Sequence, residues 1–156
     1  MGLGSGTSYK QFTNARANTK TPENLPLKFC VDTGSSLSLI DKGTLDRHFP
    51  GHTLHSMDHG KSVRIAGIGE GPETSKYVIL PLVLTTDLGK EITITGEVHV
   101  IPKLSCHLLV GVNILCPNKI SISWANKAQG KPDAIMVQDA KVPLNVIFET
   151  PTQAPR

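Results

Sequence analysis

One carboxylate in this sequence stands where catalytic chemistry could use it. Asp32 follows an apolar segment, residues 27–31, and precedes Thr33 and Gly34. Glycine lets the backbone turn sharply because it has no Cβ, and the apolar residues that resume at Leu37 would anchor the far side of the turn. A carboxylate held in this way is fixed in place and exposed at one point, which is what a general acid or base requires.

The same pattern has a plainer interpretation. An Asp-Thr-Gly turn can simply accept hydrogen bonds from backbone N–H groups at the end of a strand. A tripeptide of this kind occurs by chance in roughly one chain in fifteen of this length. A catalytic interpretation therefore needs further motifs in the same chain.

The composition predicts one all-β domain. The chain has 156 residues, of which 38% are hydrophobic, and this suits a single compact domain with its own core. Its 14 glycines and 11 prolines favour many short strands and turns. Short apolar or alternating segments recur at residues 27–31, 62–66, 77–84, 92–100, 108–111, 120–124 and 135–148. Strands this short and regular predict a sandwich or barrel.

Several function classes are disfavoured by charge and composition. The net charge of +3 is small and the basic residues are scattered, so we expect no nucleic-acid partner. No apolar run approaches membrane-spanning length and no secretory signal opens the chain, so we expect no membrane association. The three cysteines, Cys30, Cys106 and Cys116, lack metal-binding spacing. We expect them to be buried, reduced thiols of a cytoplasmic protein.

Four histidines fall close together in the sequence: His48, His52, His55 and His59. On a continuous helix, spacings of three and four would align them for a metal ion. Pro50, Gly51 and Gly60 interrupt any such helix, so we expect a solvated loop and no metal. His99 and His107 are expected at strand surfaces.

Four finer expectations concern individual elements. Residues 9–19 are expected to form an edge strand, and Asp41 to cap a short helix. Pro81 is expected to produce a bulge in its strand. Residues 135–148 are expected to form a closing hairpin around Asp139, which could either cross a dimer interface or pack outside as an extra layer.

Three segments together resemble aspartic proteases of the retroviral type. FCVDTGSSLSLI resembles their active-site loop, VRIAGIGEGPETSKYVIL their glycine-rich flap, and HLLVGVNIL their second signature, which is two apolar residues and a glycine before a short helix. The stretch EVHVIPKLSCHLLVGVNILCPNKISIS is most similar to proteases of gypsy-type LTR retrotransposons from fungal genomes. The resemblance covers residues 9–148, with residues 1–8 as a lead-in and 149–156 as a tail.

The resemblance implies a retropepsin-like closed or sandwiched β-barrel with a flap hairpin and one short helix. The chain has a single Asp-Thr-Gly, whereas peptide hydrolysis by this route uses two carboxylates that share a proton. A twofold homodimer with one Asp32 from each copy is therefore implied, together with an extended peptide substrate from a retroelement polyprotein. The resemblance implies no metal or organic cofactor, and an intracellular site of action that could include virus-like particles.

The resemblance also assigns roles within the loop. Asp32 would be the catalytic acid and base, and the Thr33 hydroxyl would form a hydrogen bond across the dimer axis. Gly34 would permit the turn. Ser35 would donate a hydrogen bond to the outer carboxylate oxygen, which favours the ionised form.

The flap candidate contributes backbone and apolar groups for substrate. The candidate flap spans Ile65 to Gly71 and includes Ala66 among its substrate-binding residues. Ile65 and Ile68 would touch substrate side chains, while Gly67, Gly69 and Gly71 would let the tip flex and lie close to the substrate backbone. An ordinary glycine-rich hairpin is the alternative interpretation.

The later signature would support the loop from behind. Leu109, Val110 and Gly111 are expected to pass close to it as scaffold rather than as chemistry. Many retroviral proteases join an acid after the loop to an arginine after this glycine, but Ser36 and Val112 stand at those positions here. The matched ion pair is thus absent as a unit.

Two alternatives to an active retroelement protease stay open. One is a domesticated or inactive domain of the same fold that only dimerises or binds peptides. The other is the retroviral-type protease domain of cellular ubiquitin-shuttle proteins, for which a neighbouring ubiquitin-like segment would be expected.

Overall fold

A computed structural model describes residues 11–21, 25–65, 71, 73–124, 130 and 133–149. In chain order its elements are β1 (Gln11–Thr19), β2 (Leu27–Val31), β3 (Ser38–Asp41), α1 (Lys42–His48), β4 (His55–Ser56), a 3₁₀ turn (Asp58–Gly60), β5 (Val63–Arg64), β6 (Glu73–Thr74), β7 (Lys76–Thr85), β8 (Glu91–Ile101), β9 (Leu108–Val110), α2 (Val112–Leu115), β10 (Ser121–Ser123), β11 (Ala134–Val137), β12 (Ala140–Pro143) and β13 (Asn145–Glu149).

An eight-stranded sheet forms the body of the molecule, in the order β13-β1-β2-β9-β3-β8-β7-β4. Most neighbours are antiparallel, but β2 pairs with β9 and β3 with β8 in parallel. Strands β10, β11 and β12 form a second sheet, and β5 and β6 a two-stranded ribbon. The predicted all-β class is confirmed. The predicted number of helices, one, is too small, because the part of the chain that the structure describes contains two short α-helices, α1 and α2.

The main core lies on one face of the long β7–β8 hairpin. Val78, Leu80, Leu82 and Leu84 alternate along β7 and are each at most 2% exposed, because side chains two apart in a strand share a face. They pack with buried residues of β2, β8, β9, α1 and α2. Complete burial of one such side chain contributes about 1.5–3 kcal/mol.

A smaller core lies apart from the main one and leads toward the flap. Leu39, Ile65, Ile101 and Leu104 are buried there, with Leu109 packed partly against them. This cluster connects the strand after the Asp32 turn to the base of the β5–β6 ribbon.

Helix α1 begins as its sequence predicts. The Asp41 carboxylate accepts a hydrogen bond from the Thr44 N–H at 2.7 Å, which satisfies one of the four unpaired N–H groups of the first turn. Gly111 follows β9 directly and is the N-cap residue of α2, and the helix ends at Leu115, two residues before Pro117.

Two expectations about strands are wrong. Strand β1 is not at an edge, because β13 pairs with it from Gln11↔Glu149 to Arg16↔Asn145. Pro81 causes no bulge: the β7–β8 register runs without a shift from Tyr77↔His99 to Thr85↔Glu91. Its missing N–H costs no pairing because, among the described strands, β7 has only β8 beside it at this point.

The closing segment is divided rather than continuous. β11 and β12 form a hairpin whose turn residues, Gln138 and Asp139, both have positive φ, as a tight two-residue turn requires. The chain then passes Leu144 and forms β13, which pairs with β1 of the same copy.

The burial of three side chains, His99, Cys106 and Cys116, differs from expectation. His99 is 3% exposed rather than at the surface, because it lies opposite Tyr77 in the β7–β8 pair, while His107 is exposed as expected. Of the three cysteines, Cys30 is buried, Cys106 is half-buried and Cys116 is exposed, so the expectation of buried thiols holds only for Cys30. None of the described helices is long and apolar enough to cross a membrane.

Candidate active site

The Asp32 turn is held by backbone hydrogen bonds, one to β9 and one within the turn itself. The Asp32 N–H donates to the Val110 carbonyl at 3.0 Å, which continues the β2–β9 pairing to the catalytic candidate itself. The Ser35 N–H then donates to the Asp32 carbonyl at 3.3 Å and closes the turn. Asp32 is therefore attached to a buried strand and is itself partly exposed.

The carboxylate of Asp32 is oriented by its own loop. The Gly34 N–H donates to Asp32 Oδ1 at 2.9 Å, a turn that short acidic side chains favour. A Cβ on Gly34 would lie 3.3 Å from the same oxygen, so the turn is tight at this point. Thr33 and Gly34 are exposed at the tip, and the carboxylate faces the surface of a single copy.

The end of β9 and the start of α2 pass close behind the loop, and Gly111 makes the closest approach. A Cβ on Gly111 would lie 2.3 Å from the Leu37 carbonyl oxygen and 2.6 Å from that of Ser35. Real Cβ atoms do not approach so closely, so only glycine fits here. The Val112 N–H donates to the Ser35 carbonyl at 2.7 Å, and this fixes the two backbones together.

A neutral hydrogen-bond network lies beneath the loop. The Ser38 hydroxyl donates to Asn113 Oδ1 at 2.7 Å and accepts from the Gly111 N–H at 2.9 Å. The Asn113 side-chain NH₂ donates to the Glu97 carbonyl at 2.8 Å, and its backbone N–H donates to the Ser36 carbonyl at 3.1 Å. Ser38 and Asn113 were not expected from the sequence, where only Asn113's position after the glycine motif could have indicated a role.

This network lies beside Ser36 and Val112, the positions at which many retroviral proteases carry an ion pair that this chain lacks. Ser36 contributes its carbonyl and Val112 its backbone N–H. Hydrogen bonds between uncharged groups thus join the two segments. The Val112 side chain is partly exposed, at 39%.

Ser35 makes a different contact from the one expected. Its hydroxyl donates to the Leu37 carbonyl at 2.7 Å, rather than to the Asp32 carboxylate. The serine therefore stabilises the second half of the turn. A short side chain finds the nearby backbone acceptor first, because its hydroxyl reaches only a few bonds from its own residue.

The base of the flap candidate is a β-ribbon. Val63 pairs with Thr74, and Arg64 with Glu73, whose side chains also form an ion pair at 2.7 Å. Ile65 is 8% exposed and packs into the smaller core. Of the rest of the flap prediction, Ala66, Gly67, Ile68 and Gly69 lie outside the described residues.

No metal site is found among the described histidines, cysteines and acids, since no three of these side chains cluster. His48 instead contacts backbone carbonyls, with Nδ1 3.2 Å from the Thr44 oxygen and Nε2 3.2 Å from the Pro26 oxygen. The His55 ring stacks on Tyr77 at a centroid distance of 5.2 Å.

A large cavity of about 970 Å³ lies away from Asp32, between α1, the start of β2 and the loop before β9. None of the residues from Asp32 to Leu37 lines it. The Asp32 loop lies outside this cavity, with Thr33 and Gly34 on the exposed surface.

Comparisons with known proteins identify the fold. No protein-family model and no curated protein matches the sequence. The retroviral protease-like domain of Ddi1 from Leishmania major superposes with a TM-score of 0.55 at 18% identity, covering 86% of this chain and 96% of that one. The chain has a retropepsin-like fold. A retropepsin-like aspartic protease from Rickettsia conorii matches at 21% identity with a TM-score of 0.34, covering 76% of this chain and 84% of that one.

In a retropepsin-like fold, one carboxylate in a fixed loop has limited chemistry by itself. A single Asp32 can accept or donate one proton, but it cannot hold a water and polarise a carbonyl at the same time. The exposed position of Thr33 and Gly34 leaves space for a second loop to approach. A single copy thus supplies one carboxylate, held in a fixed and partly exposed loop.

Proposed function

We propose that this protein is an aspartic endopeptidase whose site forms when two copies each contribute Asp32. The observation that carries the proposal is the Asp32 turn, a carboxylate at the end of a buried strand, oriented by the Gly34 N–H and supported by a glycine that admits no Cβ. A plain capping turn would need no such close support.

In the proposed reaction, a water lies between the two Asp32 carboxyls. The ionised carboxylate removes a proton from the water as the water oxygen attacks the scissile carbonyl carbon. The protonated carboxyl of the other copy donates its proton to the carbonyl oxygen. A proton then passes to the amide nitrogen as the C–N bond breaks. Two carboxyls in contact do not both ionise easily, so one proton stays shared between them.

The proposed substrate is an extended segment of a polyprotein of retroelement type, cut inside the cell. The β5–β6 ribbon would lie over such a segment and supply backbone hydrogen bonds. The similarity of EVHVIPKLSCHLLVGVNILCPNKISIS to retrotransposon proteases supports this choice of substrate.

The substitution Asp32→Asn tests the chemistry. Cleavage of a peptide library should fall by at least about a hundredfold, because asparagine cannot exchange the proton, while circular dichroism and the melting temperature stay near those of the original protein. A pepstatin-like inhibitor should also stop cleavage. Cleavage that persists in Asp32→Asn would overturn the proposal, and a dimer that binds peptides but never cuts them would support the non-catalytic alternative.

Mixing experiments test whether the site is shared. When original and Asp32→Asn chains are combined one to one and allowed to exchange partners, about a quarter of the dimers hold two intact carboxylates. Activity per original chain should therefore fall by about half. If it is unchanged, each copy would act alone and the shared site would be wrong.

A further inference from the structure

A cleft with basic walls lies at the end of the sheet opposite the Asp32 loop. We call it the distal cleft; its walls are the start of β2 with Pro26, helix α1, and residues 102–107 before β9. Strand β2 runs from this cleft to the catalytic candidate, a distance of roughly 13 Å from Leu27 to Val31 at about 3.3 Å per residue. Its cavity volume is about 970 Å³.

The short β9 creates this cleft. β2 pairs with β9 only at Cys30 and Val31, so the first residues of β2, Leu27 and Lys28, are hydrogen-bonded in the described sheet only to β1. On the other side of the gap, β3 ends at Asp41 and continues into α1. The cleft is thus a notch in the sheet with the start of one strand along its wall.

Three lysine and arginine side chains border the notch without acidic partners. Lys28, Arg47 and Lys103 are exposed, come from three separate segments, and have no carboxylate within 4 Å among the described ion pairs. Elsewhere on the surface, Lys20, Lys42 and Arg64 are each paired with a carboxylate. Lys61 and Lys119, which are exposed and lie outside the cleft, take part in none of the described ion pairs. The rings of His48 and His107 also line the cleft.

Among the described residues that line the cleft, the one acid, Asp41, is already engaged. Asp41 Oδ1 accepts from the Thr44 N–H at 2.7 Å, and Oδ2 lies 3.1 Å from His107 Nδ1. The Asp41 charge therefore acts on the helix terminus and on His107. Lys28, Arg47 and Lys103 remain available to bind carboxylates of a ligand. Pro26 and Pro102, both exposed, add apolar surface between them.

We propose that the distal cleft binds an extended acidic peptide segment of another protein. The notch gives space for a chain beside β2, the cations attract carboxylates, and the apolar residues accept the side chains between them. A nucleic acid fits less well, since the lining residues that the structure describes include no Phe, Tyr or Trp on which bases could stack. The proposal does not depend on the protease activity, because the cleft shares no residue with the Asp32 loop.

Fluorescence anisotropy with a labelled peptide tests the proposal. The probe is an extended decapeptide with glutamate at alternate positions and serine between them, and its glutamine analogue serves as the neutral control. The protein is the full chain carrying Asp32→Asn, so that cleavage cannot affect the reading. The glutamate peptide should bind and the glutamine peptide should not, with affinity falling as salt is raised.

Charge reversal locates the site. Lys28→Glu with Lys103→Glu should weaken binding about tenfold or more, since two attractions become repulsions. Lys61→Glu with Lys119→Glu changes the net charge equally at exposed positions outside the cleft and should leave the affinity within about twofold. Melting temperatures of both pairs confirm that the fold is kept.

Four results would overturn the proposal. The first two are no binding of the glutamate peptide and equal weakening by the two charge-reversal pairs. The third is displacement of the peptide by a single-stranded oligonucleotide at matched charge and lower concentration, which would identify the cleft as a nucleic-acid site. The fourth is displacement by tripolyphosphate at similar concentration, which would equally contradict a peptide site and indicate one for small anions.

Discussion

The hydroxyl of Ser38 lies 2.7 Å from Asn113 Oδ1, and this contact joins two segments 75 residues apart in the sequence. The same hydroxyl oxygen accepts the Gly111 N–H. Ser38 is completely buried. The candidate catalytic loop is therefore held by a neutral side-chain network rather than by an ion pair.

Removal of the Ser38 hydroxyl should destabilise the fold. Ser38→Ala removes the partner of the buried Gly111 N–H and of Asn113 Oδ1, so we expect a loss of about 1–3 kcal/mol in the free energy of unfolding. Urea denaturation measures it. Ser121→Ala, at an exposed strand position, is the control and should change stability by less than about 0.5 kcal/mol. Equal effects of the two would show that the network adds little.

Gly111 should tolerate no side chain. Gly111→Ala places a Cβ within 2.3 Å of the Leu37 carbonyl oxygen, which belongs to the backbone and cannot rotate away. We expect a loss of at least about 3 kcal/mol or failure to fold. Gly43→Ala is the matched control: it lies in α1 with its nearest atom at an ordinary 3.6 Å, and should raise stability by about 0.5–1 kcal/mol. A folded Gly111→Ala of unchanged stability would contradict the close approach.

Gly96 and Ile114 should be energetically coupled. A Cβ on Gly96 would lie 2.4 Å from Ile114 Cγ1, so Gly96→Ala alone should cost about 1–3 kcal/mol. Ile114→Ala alone leaves a cavity and should cost about 2–5 kcal/mol. The double variant should be more stable than the sum of the single effects predicts, by about 1 kcal/mol or more. Strict additivity in denaturant titrations would mean that the two side chains do not compete for space.

The stability contributed by Asp41 should depend on pH. Burial by itself raises the pKa of the Asp41 carboxyl, but hydrogen bonds from Thr44 and His107 outweigh it and hold the pKa below its ordinary value. The contribution is therefore fully present above the unfolded pKa, about 3.9, and is lost as pH falls through the lower folded value.

Asp41→Asn isolates this effect because asparagine is also a good N-cap. The variant should be less stable than the original protein by about 1 kcal/mol at pH 6, and the difference should shrink toward pH 3. Asp46→Asn, an exposed carboxylate in the same helix, should show a much smaller change over the same range. A difference that grows on acidification would have the wrong sign for a lowered pKa.

Thr33 should contribute to dimer formation if the site is shared. Its exposed hydroxyl lies at the tip of the loop, and a symmetric dimer would form each of its contacts twice. Thr33→Val should therefore raise the dimer dissociation constant about fivefold or more, at about 0.5–1.5 kcal/mol for each hydrogen bond. Sedimentation velocity measures it, with Ser36→Ala, also exposed, as the control. Unchanged dimerisation would remove Thr33 from the interface.

Local sequence determined the parts of the structure that depend on neighbouring residues. Asp32 ends a strand and turns at Gly34, and Asp41 caps α1, because each contact is made within three positions along the chain. The alternation of β7 and β8 likewise follows from the period of two that any strand imposes. The retropepsin-like fold was predictable to this extent.

Only the tertiary structure decided the contacts that cross the sheet. Ser38 meets Asn113, His99 becomes buried beside Tyr77, and β13 pairs with β1 because strand order and register bring distant residues together. The distal cleft arises in the same way, since the short β9 leaves Leu27 and Lys28 beside a gap. The residues adjacent in sequence do not indicate which distant strands will pair. The free energy that selects one pairing over another comes from burial over the whole sheet.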